Sequence, residues 1–161
     1  MHVSFKNGFY AGLLAAFILG IWLVQLWNPE NQVRLHSENL LARVEARSLS
    51  GAGDFVAANY RDDWGDDRAQ MVTRLRLISR LVNSLTISAD DVQTQVAGPT
   101  GTWRARLHVA AQGEAAAEIT ERVNGLTTPF LLRWQRESWK PWDWQLVEIS
   151  NPELQIPRGD F

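Results

Sequence analysis

Residues 8–27 carry no charged side chain, and Gln25 is their one strongly polar member. Wound as an α-helix, such a run is about 30 Å long, the thickness of a hydrocarbon core, so the pattern predicts a transmembrane helix over 8–27. Phe9 and Tyr10 near one edge, with Trp22 and Trp27 toward the other, sit where interfacial anchors belong. A cleaved signal peptide competes with this reading. The run is longer than a usual apolar core of such a peptide, and its exit, Val24-Gln25-Leu26-Trp27, has no small-x-small site. A buried core helix competes too, but the run has no polar face. Gly8, Gly12, Ala16 and Gly20 share one face, as in helix-pairing motifs, although Gly and Ala are common in membrane spans anyway.

Beyond the run the period becomes helical. Asn28-Pro29-Glu30 reads as N-cap, first helical residue and first-turn acid, and Val33, His36, Leu40 and Val44 recur on one face of a helix over 29–47. Ser50-Gly51-Ala52-Gly53 reads as a break, and 54–60 as a short second helix. Asp66 or Asp67 caps a third helix over 68–83, with Met71, Leu75, Ile78 and Leu81 or Val82 as its apolar stripe. The period then falls toward two. Residues 85–88 and 92–97 read as two strands, 98–101 as a turn, and 102–111 as a strand with Trp103, Ala105, Leu107 and Val109 on one face. Residues 112–125 suit helix and hairpin about equally. A strand over 126–135 carries Phe130, Leu132 and Trp134 on one face, 138–143 is a loop, and 144–149 is the last strand.

Helices first and strands later predict an α+β domain, three helices packed on a curved antiparallel sheet and preceded by one transmembrane helix. The organisation expected is a leader over 1–7, the membrane helix over 8–27, the domain over 28–154 and a tail over 155–161. Lys6 beside the span favours an inside N-terminus and an extracytoplasmic domain, against the nearly balancing Arg34, Arg43 and Arg47. The chain of 161 residues has a net charge of -2, which gives no electrostatic case for nucleic-acid binding. Cysteine is absent, which excludes disulfides, thiolate metal sites and cysteine nucleophiles.

Asn59-Tyr60-Arg61-Asp62-Asp63-Trp64-Gly65-Asp66-Asp67-Arg68 resembles the connector after the second helix in nuclear transport factor 2-like (SnoaL-like) proteins. Trp144-Gln145-Leu146-Val147-Glu148-Ile149-Ser150-Asn151 resembles their last strand. The resemblance covers about 31–154 and implies a cone-like α+β fold with a pocket between helices and sheet. It spans isomerases, cyclases, dehydratases and many non-catalytic members, so it does not choose between them. Single-pass scaffold proteins of type IV secretion systems have a similar order of anchor and domain. Enzymes of this superfamily often place an Asp and a His in the pocket. Here His108 falls on the Arg104/Arg106 face, away from the apolar one, a departure from that pattern.

His2, His36 and His108 are scattered without metal-ligand spacing, and no cofactor motif occurs, so neither metal nor cofactor is expected. His36 lies beside the apolar stripe of its helix and reads as a partly buried structural residue. Asp62, Asp63, Asp66 and Asp67 lack the spacing of a calcium loop and read as turn and cap residues. Tyr60, Trp64, Trp103 and Trp134 are the candidate pocket residues. Trp139 and Trp142, in Trp139-Lys140-Pro141-Trp142-Asp143-Trp144, are interface candidates, for a protein partner or a bilayer surface, unless they fold back on the hairpin. The function expected is a membrane-anchored, non-catalytic binding or scaffold module, with a protein partner or a homodimer. The alternative is a small-molecule isomerase or cyclase using a carboxylate of the connector as base.

Overall fold

A computed structural model of the protein describes residues 5–155. His2 and the end of the expected tail lie outside the described residues. The element order is α1 (Phe5–Leu26), α2 (Pro29–Glu45), α3 (Leu49–Gly53), α4 (Arg68–Leu81), β1 (Val82–Ala97), β2 (Thr100–Gly113), α5 (Ala116–Asn124), β3 (Phe130–Arg136) and β4 (Trp144–Ser150). The strands form one antiparallel sheet in the order β1-β2-β3-β4. The helices pack on its inner face, as an α+β cone requires.

The start of α2 is built as its residues predict. Asn28 Oδ1 accepts the Glu30 N–H at 3.0 Å, and Pro29 stands where no N–H is needed. The corner from α1 into α2 is pinned by residues the pattern did not single out. Asn31 Nδ2 donates to Gln25 O (2.8 Å) and Gln32 Nε2 to Leu26 O (2.6 Å), so side chains of α2 satisfy the last carbonyls of α1. Every described side chain of α1 from Phe9 to Gln25 is exposed. Among the described residues no single helix is long and apolar enough to cross a bilayer. Gly12–Leu26 and Pro29–Glu45 meet that requirement as a pair, bent by 68°.

Several expectations need correction, and the open one over 112–125 is decided. The break at 50–53 is largely the helix α3, and the helix expected over 54–60 is absent. That chain runs beside β4 instead: Leu146 N–H donates to Phe55 O (2.7 Å), Ala57 N–H to Leu146 O (2.9 Å) and Arg61 N–H to Val147 O (3.0 Å). These bonds cover the edge of β4 and outweigh a weak local preference for helix. The two strands expected over 85–97 are one strand with a bulge between Asp90 and Gln93, where Asp91 takes φ 55°. Residues 116–124 are the helix α5, which interrupts the run of strands. Asn124 fastens it by accepting the Val109 N–H (2.8 Å) and donating to Val109 O (2.9 Å). In α4 the apolar stripe is only half buried, Met71 being its one fully buried member.

The core lies between α2 and the sheet. Val33, Leu40, Val56, Tyr60, Trp103, Phe130, Leu132, Trp134, Trp144 and Leu146 make one buried cluster. The alternation in β2 and β3 delivers Trp103, Ala105, Leu132 and Trp134 to its inner face, while Arg104, Arg106 and His108 face outward.

Candidate functional site

Of the four candidate pocket residues, Trp103 and Trp134 are 0% exposed and Tyr60 is 1% exposed. All three belong to the packed core. Trp64 is half buried at the rim, and its Nε1–H donates to Leu154 O at 2.7 Å. The structure therefore brings three of the four together, in a cone interior filled by the protein's own side chains. Trp103 Nε1 and Trp134 Nε1 meet no hydrogen-bonding protein group among the described residues. Trp134 meets the rings of His36 (5.7 Å) and Phe55 (6.5 Å) edge to face.

The connector beside Tyr60 is an ordered polar network. Asp62 Oδ1 accepts the N–H groups of Trp64 (3.1 Å) and Asp66 (2.7 Å), which closes the turn. Asp66 is buried and takes a two-pronged grip from Arg74, at 2.6 and 2.9 Å. That bond holds the Arg74 guanidinium above its ordinary pKa. Asp67 accepts the Gln70 N–H while Gln70 Oε1 accepts the Asp67 N–H, a reciprocal cap on α4. Three of the four acids thus have structural duties. Asp62 also accepts the Tyr60 hydroxyl at 3.3 Å, and burial raises its pKa above the ordinary Asp value. Burial first, and then the charge of Asp62, raise the Tyr60 phenol, so it stays a neutral donor.

Among the described residues two surface depressions stand out, and none of Tyr60, Trp64, Trp103 or Trp134 lines either. The larger, about 670 Å³, lies between α3 and α4 beside Ser50, Gly53, Asp54, Arg68, Val72 and Arg76. Arg68 is turned to the backbone there, donating to Gly53 O at 3.1 Å. The smaller, about 190 Å³, is bounded by His36, Phe55, Trp142, Asp143, Trp144 and Gln145. That volume is below the roughly 300–1,000 Å³ usual for small-molecule pockets. His36 Nδ1 lies 2.8 Å from Gln32 O; a carbonyl only accepts, so Nδ1 carries a proton. His108 is on the outer sheet face beside Asp90, 3.4 Å away. Among the described residues no three His, Asp or Glu side chains are grouped to hold a metal ion.

The interface candidates sit elsewhere. Trp139 and Trp142 are 85% and 51% exposed, on the loop between β3 and β4, and Trp142 stands 6.4 Å from Trp27 at the end of α1. Sequence reasoning missed Asn31 and Gln32, whose role as caps of the preceding helix depends on the bend.

No protein-family model matches the chain, and no curated protein is significantly similar to it. Solved structures are similar in fold. A candidate dehydratase of the nuclear transport factor 2-like family from Streptomyces avermitilis is 13% identical, with a TM-score of 0.55 over 74% of this chain and 91% of that one. A nuclear transport factor 2-like protein of unknown function in nutrient uptake from Rhodospirillum rubrum is 19% identical, with a TM-score of 0.54 over 73% and 93%. A candidate aromatic ring hydroxylase from Novosphingobium aromaticivorans is 9% identical, with a TM-score of 0.59 over 74% and 85%. At such identities the likeness is one of architecture: the domain has the nuclear transport factor 2-like α+β fold.

Proposed function

We propose that the chain is a membrane-anchored, non-catalytic module that binds or scaffolds a protein partner, itself included. The observation that carries this reading is the filled cone. The site where this fold would hold a substrate is occupied by Trp103, Trp134, Tyr60 and Leu146, each 0–1% exposed. The anchor in this reading is the uncharged run 8–27, about 30 Å long as a helix. No single described helix is long and apolar enough to span, so what supports the anchor is the composition of that run. Its exposed apolar side chains, Leu13, Leu14, Phe17, Ile18 and Trp22 among them, meet no part of the domain that would cover them. Lys6 beside the span supports an extracytoplasmic domain, against the nearly balancing Arg34, Arg43 and Arg47.

Two measurements test this. The unprocessed full-length chain is expected to sediment with membranes and to resist an alkaline wash. Recovery in the detergent-free supernatant overturns the anchor. Cross-linking in membranes, followed by mild detergent extraction and mass spectrometry, is expected to show a discrete partner or a homodimer; a chain captured alone overturns the scaffold.

A second reading, an isomerase or cyclase, is favoured by one observation: the burial-raised carboxylate of Asp62 within 3.3 Å of the Tyr60 hydroxyl. A small ligand that raises the melting temperature of the native chain but not of a folded Asp62→Asn variant would put this reading first.

A further inference from the structure

The loop carrying Trp139 and Trp142 is rigid by construction. Glu137 N–H donates to Asp143 O (2.9 Å), Asp143 N–H to Lys140 O (3.3 Å), and Trp144 Nε1–H to Pro141 O (2.9 Å). Pro141 fixes one more backbone angle. The two exposed indoles are therefore held out in a fixed place. That place is set by Trp27, the residue after α1, whose ring lies 6.4 Å from Trp142. The loop stands at the level where the apolar helix ends. The corner is also built rather than hinged, since Asn31 and Gln32 bond back to the final carbonyls of α1. With α1 along a bilayer normal, the 68° bend brings α2 closer to the membrane plane than to its normal. The domain is then laid against the bilayer instead of being held off on a stalk.

Trp142 meets Trp27 where the apolar surface of α1 ends, and exposed Trp139 lies three positions earlier on the same loop, with Lys140 between them. Indoles favour the headgroup level, and an ammonium there meets lipid phosphate. We propose that the loop is a bilayer contact: Trp139 and Trp142 insert at the headgroup level of the membrane that α1 crosses and fix the orientation of the domain. The proposal rests on α1 being the anchor. Continuity with α1 favours lipid over a protein partner, which would have to dock where the headgroups are.

Because the chain has no cysteine, one introduced cysteine reports one place. Lys140→Cys, Ile18→Cys and His108→Cys, each labelled with an environment-sensitive fluorophore, are reconstituted as full chains in phosphatidylcholine vesicles containing phosphatidylglycerol. The label at 140 is expected to be quenched by headgroup spin-labelled lipid, and several-fold less by iodide than the label at 108. Adding Trp139→Ala and Trp142→Ala is expected to restore its access to iodide. The label at 18 is expected to be quenched by lipid spin-labelled deep in the acyl chain. If 18 is quenched but 140 is as open to iodide as 108, the loop stands in water and the proposal falls while the anchor stands; the indoles are then left to a protein partner. If removing both indoles changes nothing at 140, they do not make the contact, and the proposal falls as well. A label at 18 that the deep spin label does not reach removes the anchor and the proposal together.

Discussion

Trp103 and Trp134 show at the scale of one residue which effect wins. Each leaves a buried indole N–H unpaired, a cost of about 1–3 kcal/mol. Each also buries on the order of 150–250 Å² of mostly apolar surface, worth roughly 4–6 kcal/mol at about 25 cal/mol per Å². Burial exceeds the orphaned donor, so the indoles serve as core even without partners. Asp62 presents the opposite balance. Its Oδ1 closes the turn, but burial raises its pKa. The native carboxyl therefore keeps its proton to a higher pH than it does in the unfolded chain. Stability is withdrawn as pH rises through the ordinary Asp range toward the native value, and the loss is complete above it. Asp62→Asn keeps an acceptor oxygen for Trp64 and Asp66 and has no charge to desolvate. Urea unfolding at neutral pH is expected to show a higher midpoint for the variant. The difference should vanish below the ordinary Asp pKa. An equal difference at both pH values would mean that hydrogen bonding, and not charge burial, sets the effect.

At the scale of elements, α2 and β2 come close together at Gly101. A Cβ on Gly101 would collide with Val33 Cγ2 and come within 3.3 Å of Trp144 Cζ3. Val33 is itself fully buried, so it has little room to give. Gly101→Ala is expected to destabilise the fold by about 1–3 kcal/mol through overpacking. Val33→Ala in the same chain should recover part of that loss, a coupling that a double-mutant cycle measures directly. Additive losses would show that the two residues do not press on each other. The turn just before this contact was readable from composition. Gly98 has φ 61°, and Pro99 cannot take a positive φ, which leaves the II′ form of a two-residue hairpin loop. The chain over 54–60 was not readable in that way. Beside a few local turn bonds, Phe55 and Ala57 pair with Leu146, about ninety positions away, and no local pattern reports that partner.

For the whole molecule, the question is how firmly α1 belongs to the domain. Its described contacts with the rest gather at its last turn, through Asn31, Gln32 and the Trp27–Trp142 pair. The core cluster contains no residue of α1. A chain beginning at Asn28 is therefore expected to unfold within about 3–4 °C of the full chain in detergent, the equivalent of about 1 kcal/mol for a domain of this size. Thermal melts followed by circular dichroism check this. A much larger drop would make α1 part of the fold and not an appendage. The outer sheet face is charged rather than apolar, with Arg106 paired to Asp91, His108 to Asp90 and Arg133 to Glu148. A homodimer through that face would thus be held by polar contacts that depend on salt.

What the sequence determined by itself is what depends on near neighbours along the chain. The uncharged run that becomes α1, the Asn28-Pro29 helix start, an acid cap at Asp66 or Asp67, and the inward sets Trp103/Ala105 and Leu132/Trp134 all follow from residues within a few positions of each other. Helical and strand periods, capping and turn chemistry act over that range. Tertiary structure alone decided the rest. It ran 55–63 along β4, merged two short strands across the bulge at Asp90, and put α5 between β2 and β3. It also turned three candidate pocket aromatics into a packed interior and set Trp142 against Trp27. Each of these depends on volumes and hydrogen-bond partners supplied from distant positions. Whether a cone holds a cavity or closes on its own side chains is a property of the assembled packing, which no stretch of sequence contains.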